Sequence, residues 1–243
     1  MNDGVIPRSP HVGVKLGRHS DHERAEARFL TLEEFARLLA ATPERWRPLV
    51  MFLAGTGARW GEVVALNVAD VNLDAATVSI TKAEKVDPTA PGRVRIGPTK
   101  TRKSRRTIGL PSELVTILKE LTQGRGKNER LFVMLDEDGE PMRRWAFYRN
   151  VWLAKSCAGA GLLDPHPRIH DLRHSHAAWL IAEGVPLPVI QARLGHEKIT
   201  TTVDTYGHLV PDLQQAAADA TARVFAAMPK TAALQAAEPK AIA

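Results

Sequence analysis

The chain has 243 residues, 44% hydrophobic and 25% charged, the balance of an ordinary soluble globular protein. No apolar run is long enough to span a bilayer, and the N-terminus lacks an apolar signal core, so neither a membrane protein nor a secreted one is expected. A single cysteine, Cys157, excludes an internal disulfide and fits a reducing cytoplasm, while the formal charge of +6 favours a polyanionic partner without choosing among nucleic acid, anionic lipid and solubility alone.

Residues 1–28 are rich in Gly, His, Arg and Asp, lack apolar periodicity, and read as a tail or linker. Order is expected from Thr31-Leu32-Glu33-Glu34, which has the capping-box pattern of a helix N-terminus. Leu32, Phe35, Leu38 and Leu39 follow as an apolar stripe at helical spacing. A second helix is expected from about Pro48 to Ala54, stopping at Gly55-Thr56-Gly57, and a third from near Arg59, carrying Val63, Val64 and Leu66. Thr77–Thr81 alternates cleanly as a strand. Arg93–Ile96 alternates too, and Arg106-Thr107-Ile108 is expected to pair with it across a Thr99–Lys103 turn. Helices return at Pro111–Leu121, Arg143–Cys157, Asp171–Glu183, Leu187–Leu194 and about Asp212–Ala227. The stretch after Pro229 is Ala-rich with Pro and Lys and reads as a frayed tail. The expected fold class is α+β, mostly helical, with one small antiparallel sheet of three strands.

Arg93, Arg95, Lys100, Arg102, Lys103, Arg105 and Arg106 crowd one short segment. Such a run is often a solvated loop. Here it alternates with Val94, Ile96, Thr107 and Ile108, which suggests strands with a basic face.

Four scattered pieces carry chemistry. Arg59 closes Thr56-Gly57-Ala58-Arg59, at the start of a helix after Gly-rich backbone. Free N–H groups and the helix dipole make such a place an anion site, and an arginine adds a bidentate grip on phosphate. Alone it would read as a surface arginine in a turn. A dinucleotide-binding loop is a weaker reading, because the spacing to Gly61 is wrong and no βαβ unit surrounds it. Glu62 lies one helical turn after Ala58, within reach to orient Arg59.

His170 and Arg173 are three apart at a helix start and share a face, so one can bond a nonbridging oxygen while the other handles a proton. A metal site is the sharper rival, since His166, His170, His174, His176 and His196 are numerous and His170 and His174 stand at i and i+4. Arg173 between them opposes a divalent cation. His196 follows Leu194-Gly195, and its imidazole can donate to a phosphate oxygen. Tyr206 and Tyr148 are the two tyrosines. Tyr148 lies at an apolar-spaced helical position and reads as structural. Tyr206 lies in a short polar helix, where core packing is not expected.

The order and spacing of Thr56-Gly57-Ala58-Arg59, Thr99-Lys100-Thr101, His170-Asp171-Leu172-Arg173, Leu194-Gly195-His196 and Thr202–Tyr206 resemble the tyrosine recombinase (phage integrase) family over most of residues 31–210. The resemblance implies a catalytic domain at 29–228, with Arg59, Lys100, His170, Arg173, His196 and the nucleophile Tyr206 as its catalytic set. Lys100 would protonate the leaving oxygen, with Lys103 as its competitor, and His170 would take the phenol proton. Arg59, Arg173 and His196 would cradle the nonbridging oxygens, each well-placed donor contributing about 3–4 kcal/mol. The implied product is a 3′-phosphotyrosine link with a free 5′-hydroxyl, made without metal, ATP or other cofactor. The implied partner is double-stranded DNA, touched also by Arg93, Arg95, Arg102, Lys103, Arg105 and Arg106.

Most members carry a separate helical domain of roughly 80–100 residues upstream, an ordinary domain size. No such domain is seen before residue 31, so 1–28 reads as its linker, 229–243 as a tail, and DNA binding is expected to be weak. The C-terminal helix, with Leu213, Ala216, Ala217 and Val224, either packs on its own domain or passes to a neighbour in a homotetramer. Direction control by an accessory factor is a further implication. A non-catalytic DNA-binding regulator of the same fold and a type IB topoisomerase remain as alternatives.

Overall fold

A computed structural model describes residues 27–87, 94–99, 101, 104–210 and 214–227. Most of the expected N-terminal linker (1–26), the expected C-terminal tail, and Arg93, Lys100, Arg102, Lys103 and Leu213 lie outside the described residues.

Helix α1 (Leu32–Ala41) opens on the capping box read from the sequence. The Thr31 hydroxyl accepts from the Glu34 N–H at 3.1 Å, and the Glu34 carboxylate accepts from the Thr31 N–H at 3.0 Å. The buried stripe starts at Phe35 and centres on Leu38; Leu32, at the first helical position, is 65% exposed and points away from the core. Helix α2 (Arg47–Thr56) starts with proline in its first turn, where no N–H is needed, and buries Leu49, Val50, Phe52 and Leu53. Helix α3 (Trp60–Val63) is one turn long.

The strands form two separate sheets. Strands β1 (Val71–Asn72) and β2 (Thr77–Ile80) make the first, completed by Arg106–Gly109, which is β5. Strands β3 (Lys82–Val86) and β4 (Val94–Pro98) form a hairpin of their own. The expected pairing of Arg93–Ile96 with Arg106–Ile108 is therefore replaced: β5 pairs with β2, setting Val78 opposite Ile108. Burial decides the register. Val78, Ile80 and Ile108 share one buried face, whereas Val94 and Ile96 of β4 remain exposed.

Helix α4 (Ser112–Thr122) packs Leu114 and Leu118 on α2. Helix α5 (Arg144–Phe147) continues into a wider π-helical stretch, Tyr148–Cys157, whose Trp152 indole N–H donates to the Pro167 carbonyl at 2.6 Å. Helices α6 (Asp171–Ala182), α7 (Leu187–Leu194), α8 (Ile199–Tyr206) and α9 (Gln214–Ala226) complete the chain. A large apolar cluster gathers α1, α2, α4, the first sheet and the Tyr148–Cys157 stretch. A smaller one gathers Ala177, Ile181, Ile190, Leu194 and Tyr206. Helix α6 lies between the two, giving Leu172 to one and Ala177 and Ile181 to the other.

Leu38→Ala is expected to destabilise the fold by about 2–5 kcal/mol in urea unfolding, the usual range for a filled core site. Leu32→Ala is expected to stay within about 0.5 kcal/mol, since its side chain meets water already.

Candidate active site

Two helix ends bring the cluster together. Helix α2 ends at Gly57 (φ +63°) and α7 ends at Gly195 (φ +69°), both in the left-handed region. Each turn throws the following residues off the helix axis, toward a common cleft. A side chain at Gly57 would also collide with the His176 ring at 2.7 Å and with Leu194 at 2.8 Å. Within the first turn, the Thr56 hydroxyl donates to the Phe52 carbonyl and accepts from the Ala58 N–H, which fixes the approach to Arg59.

Arg173, on α6, ties the two ends to each other. One guanidinium nitrogen donates to the Gly57 carbonyl at 2.7 Å and the other to the Leu194 carbonyl at 2.8 Å. The residue is 2% exposed, and its hydrogen-bond partners among the described residues are both neutral carbonyls. Burial, together with Arg59 nearby, lowers its pKa to about 9, so it is still charged at neutral pH.

Glu62, on α3, is the carboxylate of this network. Its oxygens accept from the Arg59 N–H at 2.9 Å and the Arg59 guanidinium at 3.1 Å. They also accept both terminal nitrogens of Arg106, at 2.9 and 3.2 Å. Burial pushes the carboxyl up, but Arg106 and then Arg59 outweigh it and hold the pKa below the usual carboxylate range. Arg106 was expected to contact DNA. Its side chain instead turns inward, 6% exposed, because the bidentate pair with Glu62 and a 2.6 Å bond to the Arg193 carbonyl satisfy it there. Arg95 and Arg105 are exposed.

Arg193 carried no signal in the sequence, and His176 entered only among the histidines of the metal reading. Arg193 donates to the Gly55 carbonyl at 2.9 Å, to the Gly109 carbonyl at 3.1 Å and to His176 Nε2 at 2.9 Å, joining α2, β5 and α6 to α7. Arg59 and Arg106 bond Glu62, the Glu62 charge also acts on Arg173, and Arg193 bonds only neutral groups, so the cations of this network outnumber the carboxylate that partners them.

The cleft beside them has a volume of about 500 Å³. Arg59, Glu62, His170 and Gly195 line it, together with Thr99 and Thr101. Lys100 itself lies outside the described residues, although the threonines on either side of it face the cleft. Glu84 and Lys85, from the unpredicted strand β3, line the same space. His170 is exposed and lines this cleft, with the His174 ring edge-on at 4.9 Å between centroids. Burial first, then His174 and Arg173, lower its pKa to about 4. His196 is held by a 2.9 Å contact from Nδ1 to the Thr202 hydroxyl, and burial with Arg173 and Arg59 lowers it to about 3.

Tyr206 contradicts the expectation of a polar, unpacked position. It is 1% exposed, in the smaller apolar cluster, with its ring parallel to His196 at 6.5 Å between centroids. Its hydroxyl meets His174 Nδ1 at 2.9 Å. The residue expected to take its proton was His170; the imidazole in contact is the one a helical turn further on. Burial raises the phenol pKa, while Arg173 and Arg59 work to lower it. Tyr148 behaves as expected, at the core edge with its hydroxyl on His166 at 2.9 Å.

The structure is a helical α+β domain that brings Arg59, Arg173, His170 and His196 together, with Tyr206 packed beside His196. Residues 28–212 match the Phage integrase family, and the chain belongs to that family. It is 28% identical over 236 residues to the ICEBs1 integrase of Bacillus subtilis (strain 168), covering 90% of this chain and 60% of that protein. It is 34% identical to the tyrosine recombinase XerC of Roseiflexus castenholzii (strain DSM 13941 / HLO8), covering 85% and 62% respectively. The chain therefore spans about three fifths of the length of these relatives. In fold it is similar to the Tn1549 transposon integrase in complex with circular intermediate DNA, with a TM-score of 0.65 at 18% identity over 83% of this chain and 68% of that one. The catalytic domain of bacteriophage HP1 integrase gives a TM-score of 0.56 at 23% identity, over 80% and 95%.

The buried histidines make stability pH-dependent. His176 and His196 have unfolded pKa values of about 6.5, and each is lowered to about 3 by burial first. The unfolded chain then binds more protons, so stability is complete above about pH 6.5 and falls as the pH drops below it. Urea unfolding between pH 7 and 5 is expected to show that loss, and His176→Gln to reduce it. A stability independent of pH over this range would contradict the assignment.

Proposed function

We propose that this chain is the catalytic domain of a site-specific DNA recombinase, an integrase, which cleaves and rejoins DNA through a covalent 3′-phosphotyrosine intermediate. The observation that carries this reading is Arg173, a buried guanidinium held between the carbonyls of Gly57 and Leu194 with Arg59 and His196 on the two loops it joins. Family membership supports it, as do relatives named integrase and tyrosine recombinase.

A phosphodiester carries one negative charge, and attack builds more on its nonbridging oxygens. Arg59, Arg173 and His196 would stabilise that charge through fixed donors aimed at those oxygens. Glu62 would hold Arg59 in place. His170 would bind a phosphate oxygen from the open side of the cleft. The Tyr206 oxygen would form its bond to phosphorus as the bond to the 5′ oxygen breaks, and Lys100 would protonate that oxygen. The covalent link keeps the energy of the broken bond, so a different 5′-hydroxyl can reverse the step without ATP. Two arginines supply the charge that Mg²⁺ supplies in other phosphoryl transfers, so the reading is metal-independent.

Double-stranded DNA is the proposed partner, with Arg95 and Arg105 among the exposed cations. Homotetramer formation on paired sites would use α9, a reading supported by Val224 and Phe225, exposed at 63% and 65% on that helix. The proposed catalytic domain covers residues 29–228, with an accessory directionality factor as a further partner.

A nicked suicide DNA bearing the target site, incubated with the protein and run on a denaturing gel, tests the reading. A covalent adduct is expected in EDTA and is expected to vanish in Tyr206→Phe. Loss of the adduct in EDTA, or its persistence in Tyr206→Phe, would contradict the mechanism. Supercoil relaxation without exchange between two sites would favour the topoisomerase reading.

A further inference from the structure

We propose that His174 is a further catalytic residue, the base that receives the Tyr206 proton as the phenol oxygen attacks. This deepens the function proposed above and rests on it. Among the described residues, the group in hydrogen-bond contact with the Tyr206 hydroxyl is His174 Nδ1, at 2.9 Å. That distance lies within the reach a general base needs. His170 stands instead on the cleft side, its ring edge-on to His174 with centroids 4.9 Å apart.

The surroundings suit proton transfer. His174 is half-buried on α6, and Phe29, from the segment before α1, covers it and the tyrosine edge-on, with centroids 6.3 and 6.4 Å away. That segment is pinned to α6 by two bonds: the Leu30 N–H to the Ser175 hydroxyl at 2.8 Å, and the Trp179 indole N–H to the Leu30 carbonyl at 2.9 Å. Phe29 also meets His208, which follows α8, at 6.1 Å. The charged groups acting on His174 are Asp171, Arg168 and Arg173, with His170 beside it. Burial first, with Arg168 and Arg173 against Asp171, lowers the His174 pKa, so the ring is neutral at pH 7 and one nitrogen has a lone pair to offer.

The step balances without a co-reactant. The phenol O–H breaks, its proton passes to Nδ1, and the oxygen's electron pair forms the bond to phosphorus. The phosphorus–O5′ bond breaks, and the leaving oxygen takes its proton from the general acid, proposed above as Lys100. His174 is left as imidazolium and returns the proton when the strand is rejoined.

His174→Asn keeps an amide near the position of Nδ1, able to hold the hydroxyl but unable to take its proton. Single-turnover adduct formation on the nicked DNA is expected to slow about 100-fold or more at neutral pH, with DNA affinity and thermal unfolding unchanged. The variant's rate should climb with pH as hydroxide takes over, while the wild-type rate levels off. A fluorinated tyrosine at 206, with a more acidic phenol, should restore His174→Asn and not His170→Asn. Equal rates for His174→Asn and wild type, or a pH-dependent loss carried by His170→Asn alone, would overturn the assignment. Should His174→Asn not fold, fluorinated tyrosine in the otherwise native chain decides. A shallow dependence of rate on phenol acidity supports an internal base, and a steep one overturns it. A wild-type protein that forms no adduct would refute the parent reading, an outcome distinct from these.

Discussion

The arrangement depends on one buried cation. Arg173 sits where helices α2 and α7 both end, and donates to a carbonyl at each terminus. The C-terminal end of a helix carries partial negative charge, so the two dipoles favour the guanidinium. They do not neutralise it. A buried charge with no carboxylate in direct contact, and Glu62 acting on it only through space, is unfavourable by several kcal/mol even after relaxation, and it persists here because the same group joins the Arg59 loop to the His196 turn. A docking anion would complete what two carbonyls begin. The stability lost to this charge and the affinity gained for a phosphate are two sides of one electrostatic fact.

Around Arg173 stands a frame that orients the cleft-lining residues. Glu62 accepts Arg59 on one side and Arg106 on the other, and Arg106 reaches the Arg193 carbonyl. Arg193 then ties back to Gly55, Gly109 and His176. Apart from the Arg59–Glu62 pair, three residues apart, the links join residues distant in sequence, so the frame exists only once the first sheet and α7 have docked on α2. The site is thus a product of tertiary folding, and its precision follows from the left-handed turns at Gly57 and Gly195, which no bulky residue would adopt at small cost.

Much of this was legible in the sequence because it is written locally. The capping box of Thr31 and Glu34, the stop at Gly57, the limits of α7 and the helix that starts at Asp171 all rest on neighbours within a turn. The motif residues Arg59, His170, Arg173 and His196 meet as their order suggested. What was not legible depends on distant partners. Strand β3 reads Lys82–Val86 with two lysines and a glutamate, and its pairing with β4 leaves β3 half-buried and β4 mostly exposed. The register of β2 against β5 is decided by core burial of Val78 and Ile108. Arg106 sits in a run of exposed cations and differs from Arg105 only by facing Glu62. Tyr206 sits in a helix of threonines, and nothing adjacent foretells that its ring fills the apolar cluster of Ile190 and Leu194.

The account predicts most directly the contacts of a trapped transition-state mimic. A structure of the protein with nicked target DNA and orthovanadate should place vanadate oxygens within about 3 Å of Arg173, Arg59 and His196, with the Tyr206 oxygen in the apical position. Vanadate bound with Arg173 still turned wholly onto the Gly57 and Leu194 carbonyls, and Tyr206 still enclosed in its apolar cluster, would contradict it.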